Sequence, residues 1–261
     1  MGSDAAVNTD TPLEATSRNK EEPVTNYRQL EQQFVTDFGF RRRPVAVAAA
    51  EDPPPGVPHF GGVVPSGCSF WRLASEGRTF YTLPRDHYNC PIGAYTHNIP
   101  LPPDREQELP ETLGLMAQLG YVRMEEVPGI PRLPTAPAVM VYAPLGDTPV
   151  EPAVVLFSGP AARIMLLQEA AMRAGVATQL NLLGRPTCMA VPAALGHGMV
   201  TSTGCIGNRV YTDLDEGDLY AVIPFGGVAR VAGESGTIRA ANAALAEYHT
   251  ERRERLTRMP G

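Results

Sequence analysis

Lysine is almost absent from this sequence. Of its 22 basic residues, only Lys20 is a lysine and all the others are arginines. Phosphate-binding loops, protein kinases and pyridoxal-phosphate enzymes each need a lysine amine at the reacting group. Because Lys20 lies in a polar N-terminal stretch, the folded part of the chain fits none of these three classes.

Long apolar runs and signal sequences are absent as well. No stretch approaches the roughly 18 consecutive apolar residues that indicate a membrane-spanning helix. Residues 1–20 are polar and contain no apolar signal-peptide core. Four cysteines in 261 residues are too few for the disulfide framework of a small secreted protein. We therefore expect a cytoplasmic protein that does not bind membranes.

An excess of positive charge is also missing. The formal net charge is -6 and the isoelectric point is near 5.4, whereas proteins that bind a phosphate backbone usually carry a basic face. Nucleic acid is therefore not expected as a partner. The motifs of serine hydrolases (Gly-x-Ser-x-Gly), zinc proteases (His-Glu-x-x-His) and dinucleotide-binding folds (Gly-x-Gly-x-x-Gly) are missing too.

The distribution of apolar residues predicts a disordered tail over residues 1–24 and a single folded domain over residues 25–261. The tail is polar, while 43% of the whole chain is apolar, which is enough to bury a core. The periodicity predicts strands near 43–48, 139–142 and 154–157, and helices near 30–38, 160–174 and 237–258. The 25 glycines and 26 prolines favour many short elements. We expect an α/β or α+β fold with helices around a mixed sheet.

The two halves of the domain, residues 38–135 and 136–258, show a similar order of features. In each half, an apolar strand is followed by a cysteine that opens a predicted helix, Cys68 or Cys188. A second cysteine comes next, Cys90 or Cys205, with a glycine within three residues and a tyrosine within six. This similarity indicates a duplication whose pseudo-twofold symmetry would bring four thiols together. Chance similarity between segments rich in alanine, glycine and proline is the alternative.

The four cysteines are the strongest candidates for a functional site. Structural zinc sites usually take two ligands from a Cys-x-x-Cys pair, which is absent here. An iron–sulfur cluster can take its ligands from separate loops, and Cys90 is followed by Pro91 as in ferredoxin-type motifs. We therefore favour an iron–sulfur cluster on Cys68, Cys90, Cys188 and Cys205, with zinc as the alternative metal. Metal-free thiol chemistry and simple core packing are the other interpretations.

Two histidines flank Cys90 and are candidates for acid–base work. The imidazoles of His87 and His97 have the chemistry to transfer protons, to replace a cysteine as ligand, or to activate Cys90. Asp86 or Asn98 would then orient the ring. The alternative is that both histidines are hydrogen-bonded residues of the loops. The catalytic candidates are Asp86, His87 and His97.

Arginines give the cysteine regions a positive setting within an acidic chain. The stretches 68–98 and 185–211 contain more arginine than carboxylate, which favours an anionic substrate or a thiolate-bound cluster. Arginine binds carboxylates and phosphates well, although salt bridges within the protein are its commoner role. Trp71, near the start of a predicted helix, would line a pocket or, as is more common for such a residue, pack in the core. The candidates for substrate binding are Trp71, Arg72, Asn98, Arg185, Asn208 and Arg209.

Four segments around the cysteines resemble one protein family. They are Cys68–Arg72 (CSFWR), Asp86–Asn98 (DHYNCPIGAYTHN), Leu183–Ala190 (LGRPTCMA) and Gly204–Leu214 (GCIGNRVYTDL). These motifs are similar to those of domain of unknown function 169, a family of uncharacterised bacterial and archaeal proteins. The similarity runs from about Phe38 to Leu256. The resemblance implies a single full-length domain of the prokaryotic cytoplasm, often in anaerobes, with cysteine-centred sites, and it implies no established activity.

Together these observations lead to a hypothesis about function. We expect a cysteine-centred metalloprotein whose iron–sulfur cluster serves a redox or Lewis-acid step on a small, anionic molecule, with an electron donor as a further partner. A metal-free enzyme with a cysteine nucleophile or redox pair is the first alternative. A module that binds or senses a small ligand or cofactor is the second. Because arginine does not transfer protons at neutral pH, acid–base steps fall to cysteine, histidine, a carboxylate or tyrosine.

Overall fold

A computed structural model describes residues 26–177 and 182–258, so the predicted tail over residues 1–24 lies outside the described residues. The strands are β1 (Val45–Ala50), β2 (Phe80–Thr82), β3 (Val139–Pro144), β4 (Val154–Pro160), β5 (Leu182–Leu183), β6 (Val200–Ser202) and β7 (Asp218–Pro224). They form one seven-stranded sheet in the order β2-β3-β1-β4-β7-β6-β5. All neighbouring strands are antiparallel except β5 and β6. The expected mixed sheet is therefore confirmed.

Helices cover both faces of the sheet. They are α1 (Tyr27–Phe38), α2 (Cys68–Ser75), α3 (Pro91–Thr96), α4 (Glu108–Gln118), α5 (Ala161–Arg173), α6 (Ala190–His197), α7 (Ile206–Thr212) and α8 (Phe225–Thr257). Alternate residues of a strand point to opposite faces, so Val155 and Phe157 contact α1, α5 and α8, whereas Leu156 packs with α2 and α6. The result is an α/β fold in which the cysteine-bearing helices share one face. None of the described helices is both long and apolar enough to cross a bilayer.

Most elements expected from the sequence are present. The strands near 43–48, 139–142 and 154–157 correspond to β1, β3 and β4, and the helices near 30–38 and 160–174 to α1 and α5. The start of the last helix was predicted wrongly, because α8 begins at Phe225 and not at Thr237. Its first turns contain Gly226, Gly227 and Gly233, which lower helix propensity. Burial of Val228 and Val231 in the core stabilises these turns.

The sheet has an internal twofold pattern. Read outward from its centre, the order is β1, β3, β2 on one side and β4, β7, β6 on the other, where β5 adds a further edge strand. The registers also correspond, since Val45 of β1 pairs with Pro144 of β3 and Val154 of β4 pairs with Pro224 of β7. At the centre, Val45 pairs with Leu156 and Val47 pairs with Val154. This arrangement is that of two similar units related by a twofold axis between β1 and β4.

Hydrogen bonds just beyond the strands repeat as well. After β3, the Leu145 amide donates to the carbonyl of Pro44 over 2.8 Å, and after β7 the Phe225 amide donates to the carbonyl of Ala153 over 3.0 Å. The strand order therefore places the junction of the halves between β3 and β4. The predicted division after residue 135 would instead separate β3 from its partners β1 and β2.

The two halves differ in the segment that connects the second cysteine-capped helix to the next long strand. In the second half, residues 213–217 connect α7 directly to β7, whereas in the first half residues 97–138 lie between α3 and β3. This longer segment contains α4 and a 3-10 turn over Met124–Gly129. We call residues 97–138 the insertion. It breaks the symmetry on the face of the sheet that carries the cysteines.

Candidate functional site

All four cysteines lie at the N-terminal ends of helices. Cys68 is the first residue of α2, Cys90 immediately precedes α3, and Cys205 immediately precedes α7. Cys188 lies in the 3-10 turn Thr187–Met189, which leads into α6. The first amides of a helix have no partners within the helix and carry partial positive charge. Each cysteine therefore lies at a helix end that favours a negative charge, which burial of the thiol opposes.

The second cysteine of each half caps its helix with its own side chain. The Gly93 amide donates to Sγ of Cys90 over 3.3 Å, and the Asn208 amide donates to Sγ of Cys205 over 3.5 Å. Glycine is required at position 93, because a Cβ there would lie 2.9 Å from Sγ of Cys90. The same capping geometry in both halves reinforces the internal repeat.

The four thiols converge on one cavity of about 840 Å³, whose lining includes all of them. Burial raises the pKa of Cys68, Cys90 and Cys188, and the neighbouring thiols raise it further. Every pair among the four cysteines contributes to this mutual repulsion. The relative exposures of Cys68 and Cys188 are 4% and 5%, whereas Cys90 and Cys205 are half-buried. The structure therefore brings together the four residues that the sequence analysis placed in one site.

Polar side chains connect the halves around the sulfurs. The side chain of Asn208, in the second half, lies near enough to the Cys68 thiol to lower its pKa by hydrogen bonding, and Thr96, in the first half, does the same for Cys188. Both effects are smaller than that of burial. The Thr187 hydroxyl accepts a hydrogen bond from the Cys205 amide. Asn208 donates through Nδ2 to the Tyr220 hydroxyl over 3.3 Å, and among the described residues its buried Oδ1 has no partner.

The spacing of the thiols bears on which metal they suit. Within residues 26–177 and 182–258, no group of three or more His, Cys, Asp or Glu side chains is arranged to hold a metal ion. A single zinc ion needs all its sulfurs at about 2.3 Å. An iron–sulfur cluster distributes its thiolates over several irons and so accommodates a wider set of sulfurs. Four cysteine thiolates are the donor set that [2Fe–2S] and [4Fe–4S] clusters use.

The two candidate histidines lie behind the cysteines and outside the cavity lining. His87 is buried against Phe70 and Tyr142, and its Nε2 is 2.9 Å from the Thr82 hydroxyl. Burial, and to a smaller extent His97, lowers the pKa of His87 from 6.5 to about 3. His97 ends α3 with Nδ1 2.9 Å from the carbonyl of Gly93, and burial lowers its pKa as well. Both rings are neutral at physiological pH.

Asp86 orients a different histidine from the one expected. Its carboxylate binds Nε2 of His59 over 2.7 Å and accepts a hydrogen bond from the Leu83 amide over 2.7 Å. It thereby closes the 3-10 turn Pro84–His87 and ties it to residues 51–67, the segment between β1 and α2 that contains His59. Within the described residues, the Asp86 carboxylate makes no hydrogen bond to the His87 ring and does not line the cavity.

Two of the three candidate arginines stabilise the scaffold at a distance from the cavity. Arg72 bridges Glu76 over 2.8 Å and Asp213 over 2.7 Å, which joins α2 to the end of α7. Arg209 donates to the carbonyls of Thr203, Asp215 and Asp218 and so holds the link between α7 and β7. Neither side chain lines the cavity.

Arg185 does line the cavity, together with Asn208. Its guanidinium binds the carboxylate of Glu126 over 2.9 Å and lies 5.1 Å from the ring centroid of Tyr121. Glu126 and Tyr121 belong to the insertion, whereas Arg185 belongs to the second half. Arg185 therefore joins the insertion to the second half across the cavity.

The remaining candidates have structural contacts. Trp71 is buried with its ring 5.7 Å from that of Tyr220. Asn98 donates to the carbonyl of Pro134 over 3.0 Å and accepts a hydrogen bond from Arg132. Trp71 therefore lies in the core, which is the commoner of the two roles that its position predicted, and Asn98 stabilises the start of the insertion.

The sequence analysis missed the outer wall of the cavity. Helix α4 contributes Leu109, Leu113 and Met116, and the rest of the insertion contributes Val127 and Ile130. The spacing of 109, 113 and 116 is that of one helical face, so periodicity alone could have located this wall. The two threonines near the sulfurs, Thr96 and Thr187, have no comparable signal beyond their proximity to cysteines in the chain.

Comparison with known proteins identifies the family and nothing more specific. Searches among curated proteins and among solved structures found no match. The sequence model of the DUF169 family, described as uncharacterised ArCR, matches residues 33–233. This span includes all seven strands of the sheet, the insertion and all four cysteines. The chain therefore belongs to the DUF169 family.

Proposed function

We propose that Cys68, Cys90, Cys188 and Cys205 hold an iron–sulfur cluster, and that the cavity beside them admits a small molecule for a redox or Lewis-acid step. One observation carries this proposal: four cysteines from both halves, each at a helix N-terminus, line a single cavity. Core packing of free cysteines does not require this repeated position.

The electrostatics of the thiols determine what a bound metal would have to supply. Burial and mutual repulsion raise the pKa of Cys68, Cys90 and Cys188, so in the absence of a cation the protonated thiols are favoured. Metal binding replaces these protons and supplies the missing positive charge. The amides of Gly93 and Asn208 donate to sulfur, and hydrogen bonds of this kind tune the potential of a cluster.

The protein and the cluster would have separate tasks. The cluster, when bound, supplies an electron-transfer or Lewis-acid centre. The helix ends hold the sulfurs, the apolar wall excludes water, and the cavity leaves room for a substrate beside Cys90 and Cys205. A redox reaction also needs an electron donor, which we propose as a partner.

The metal-free alternative has less support. A nucleophilic or redox-active cysteine works as a thiolate and is favoured by a lowered pKa. Here the resolved shifts of Cys68, Cys90 and Cys188 are all upward. A small-ligand binding or sensing module remains the second candidate, because the cavity itself requires no chemistry.

The test is anaerobic purification followed by iron, sulfide and zinc analysis and a visible spectrum. We expect iron and sulfide in comparable amounts, and a loss of at least about half of both in Cys90→Ser and in Cys205→Ser. Ile206→Ser is the matched control, because it changes the exposed neighbour of Cys205 without removing a sulfur.

Two results would contradict the cluster. Zinc without sulfide would assign the alternative metal. A colourless, metal-free protein with four titratable thiols would leave only the metal-free alternatives, and selective alkylation of one thiol would then favour the nucleophile. Ligand-dependent thermal stabilisation without turnover would favour the binding module.

A further inference from the structure

The cavity is asymmetric although the cysteines that line it are repeated. One end is formed by the helix starts of both halves, and the other is covered by the insertion, which the second half lacks. A cluster alone would need only the symmetric part. The insertion therefore provides space for a second occupant next to the sulfurs.

The wall of this space is predominantly apolar. Leu109, Leu113 and Met116 line it from α4, and Val127 and Ile130 line it from the segment after α4. The cavity volume of about 840 Å³ falls within the range of roughly 300–1,000 Å³ that is typical of sites for organic ligands. A small inorganic anion would leave most of this wall exposed to water.

Charged groups at the cavity do not form a site for an anion. Within the described residues, the lining contains the carboxylates Glu108, Glu111 and Glu126, the arginine Arg185 and the histidine His197. Arg185 is already bound to Glu126 over 2.9 Å. Glu108 is paired with Arg105, and Glu111 is exposed. An incoming carboxylate would therefore meet compensated or negative groups.

Two of the positive helix ends, those of α3 and α7, already stabilise sulfur. One amide at the start of α3, that of Gly93, donates to Sγ of Cys90, and one at the start of α7, that of Asn208, donates to Sγ of Cys205. Their partial charge therefore stabilises sulfur and not a second anion. The positive setting predicted from the arginine-rich segments is largely lost in the ligand space, because Arg72 and Arg209 do not line it and Arg185, which does, is paired with Glu126.

We infer that the space under the insertion takes an uncharged, largely apolar organic molecule, in contrast to the anionic substrate expected from the sequence. For the chemistry at the cysteines, the inference rests on the proposed function. The class of ligand is derived from the apolar residues that line the space. Transfer of an unpaired charge into such a wall is unfavourable, and transfer of an apolar ring is favourable.

Three probes with one ring system test the class of ligand. 2-Naphthol is neutral at pH 7, 2-naphthoate is anionic and 2-naphthylmethylamine is cationic. With the anaerobically purified protein and fluorescence titration, we expect 2-naphthol to bind at one site at least about tenfold more tightly than either charged probe. Tighter binding of 2-naphthoate, or equal binding of all three, would overturn the inference.

Variants locate the probe. Met116→Trp fills the space from α4, and Ile130→Trp fills it from the loop without changing a helix. Each should weaken 2-naphthol binding by at least about tenfold, whereas Leu119→Trp, at a position that is 73% exposed and outside the lining, should change it by less than about twofold. Circular dichroism verifies the fold of each variant. Unchanged affinity in a folded Ile130→Trp would place the probe elsewhere and overturn the inference.

Metal analysis of the same samples separates the two proposals. The tryptophan variants should keep the iron and sulfide content of the unmodified protein, because they remove no sulfur. Selective 2-naphthol binding to a protein that contains no iron would contradict the proposed cluster and leave the ligand class intact. A protein that contains iron and sulfide but does not bind 2-naphthol selectively would contradict the ligand class and leave the proposed cluster intact.

Discussion

The two halves of the sheet share strand order, register and the placement of two cysteines, yet only one half carries a cover over the cysteines. Between α7 and β7 the second half has residues 213–217, whereas the first half has residues 97–138 at the equivalent place. The shared features hold the sulfurs, and the unshared feature forms the apolar wall. The comparison separates a repeated sulfur scaffold from a cover that belongs to the first half alone.

The halves also differ in how they fill the core beneath equivalent cysteines. Trp71 lies three residues after Cys68, and Val191 lies three residues after Cys188. Both side chains are buried on the same face of the sheet. The larger side chain lies in the first half, so the helix that begins at its first cysteine depends on a larger buried surface.

Truncation at these two positions gives the largest expected effect. Trp71→Ala should lower the free energy of unfolding by about 3–5 kcal/mol and Val191→Ala by about 1–3 kcal/mol, because the cost increases with the volume removed from the core. Urea denaturation of both variants measures the difference. The repeat requires that both side chains pack in equivalent surroundings, so the larger one should cost more to remove. Equal losses would contradict that equivalence.

Sensitivity to acid should reside in the first half. His87 lies between β2 and Cys90, in a segment much longer than the one between β6 and Cys205. Burial lowers its pKa from 6.5 to about 3, so the unfolded chain binds a proton at pH values where the folded protein does not. The stability contributed by the neutral ring is fully present above pH 6.5 and is lost as the pH falls towards 3.

The measurement is the free energy of unfolding between pH 7 and pH 4. The unmodified protein should lose up to about 1.4 kcal/mol per pH unit through His87 in this range. His87→Gln should remove that part of the slope, and the exposed control His249→Gln should retain it. If His87→Gln and the unmodified protein show the same dependence of unfolding free energy on pH, the acid sensitivity belongs to other groups. His97 would then be the next candidate, because burial lowers its pKa too.

The smallest effect is expected where the insertion meets the second half. Glu126→Gln weakens the contact with Arg185, but both side chains are partly exposed, and such ion pairs contribute about 0–1 kcal/mol. Global stability should therefore change by less than about 1 kcal/mol. Hydrogen exchange should increase in residues 97–138 and remain unchanged in β4 and β7, since only the cover is released. Faster exchange throughout the sheet would show that the cover and the repeat unfold together.

Local sequence patterns predicted much of the scaffold. Alternating and helical periodicity located β1, β3, β4, α1 and α5, because these elements bury regular faces. The short strands β2 and β6 have three residues each, which is too few for a periodic signal. The start of α8 was missed since its glycines oppose helix formation and only tertiary burial compensates for them.

The site shows the same division between local and long-range information. The four cysteines were identifiable because their residue type and flanking motifs are local features, and the repeat predicted that they would meet. The placement of the arginines was not predictable from the sequence. The contacts of Arg72 with Asp213 and of Arg185 with Glu126 join residues far apart in the chain. Long-range pairs of this kind leave no mark on sequence periodicity.

The sequence by itself determined the family, the repeated cysteine pairs and the elements with a regular apolar face. Only the tertiary structure decided that each thiol caps or opens a helix at a common cavity, that most of the expected polar site residues serve the scaffold, and that the insertion forms the wall. The physical reason is that burial and charge compensation depend on which surfaces meet after folding. Local composition predicts a positive site here, whereas folding pairs that charge with carboxylates and carbonyls from other elements.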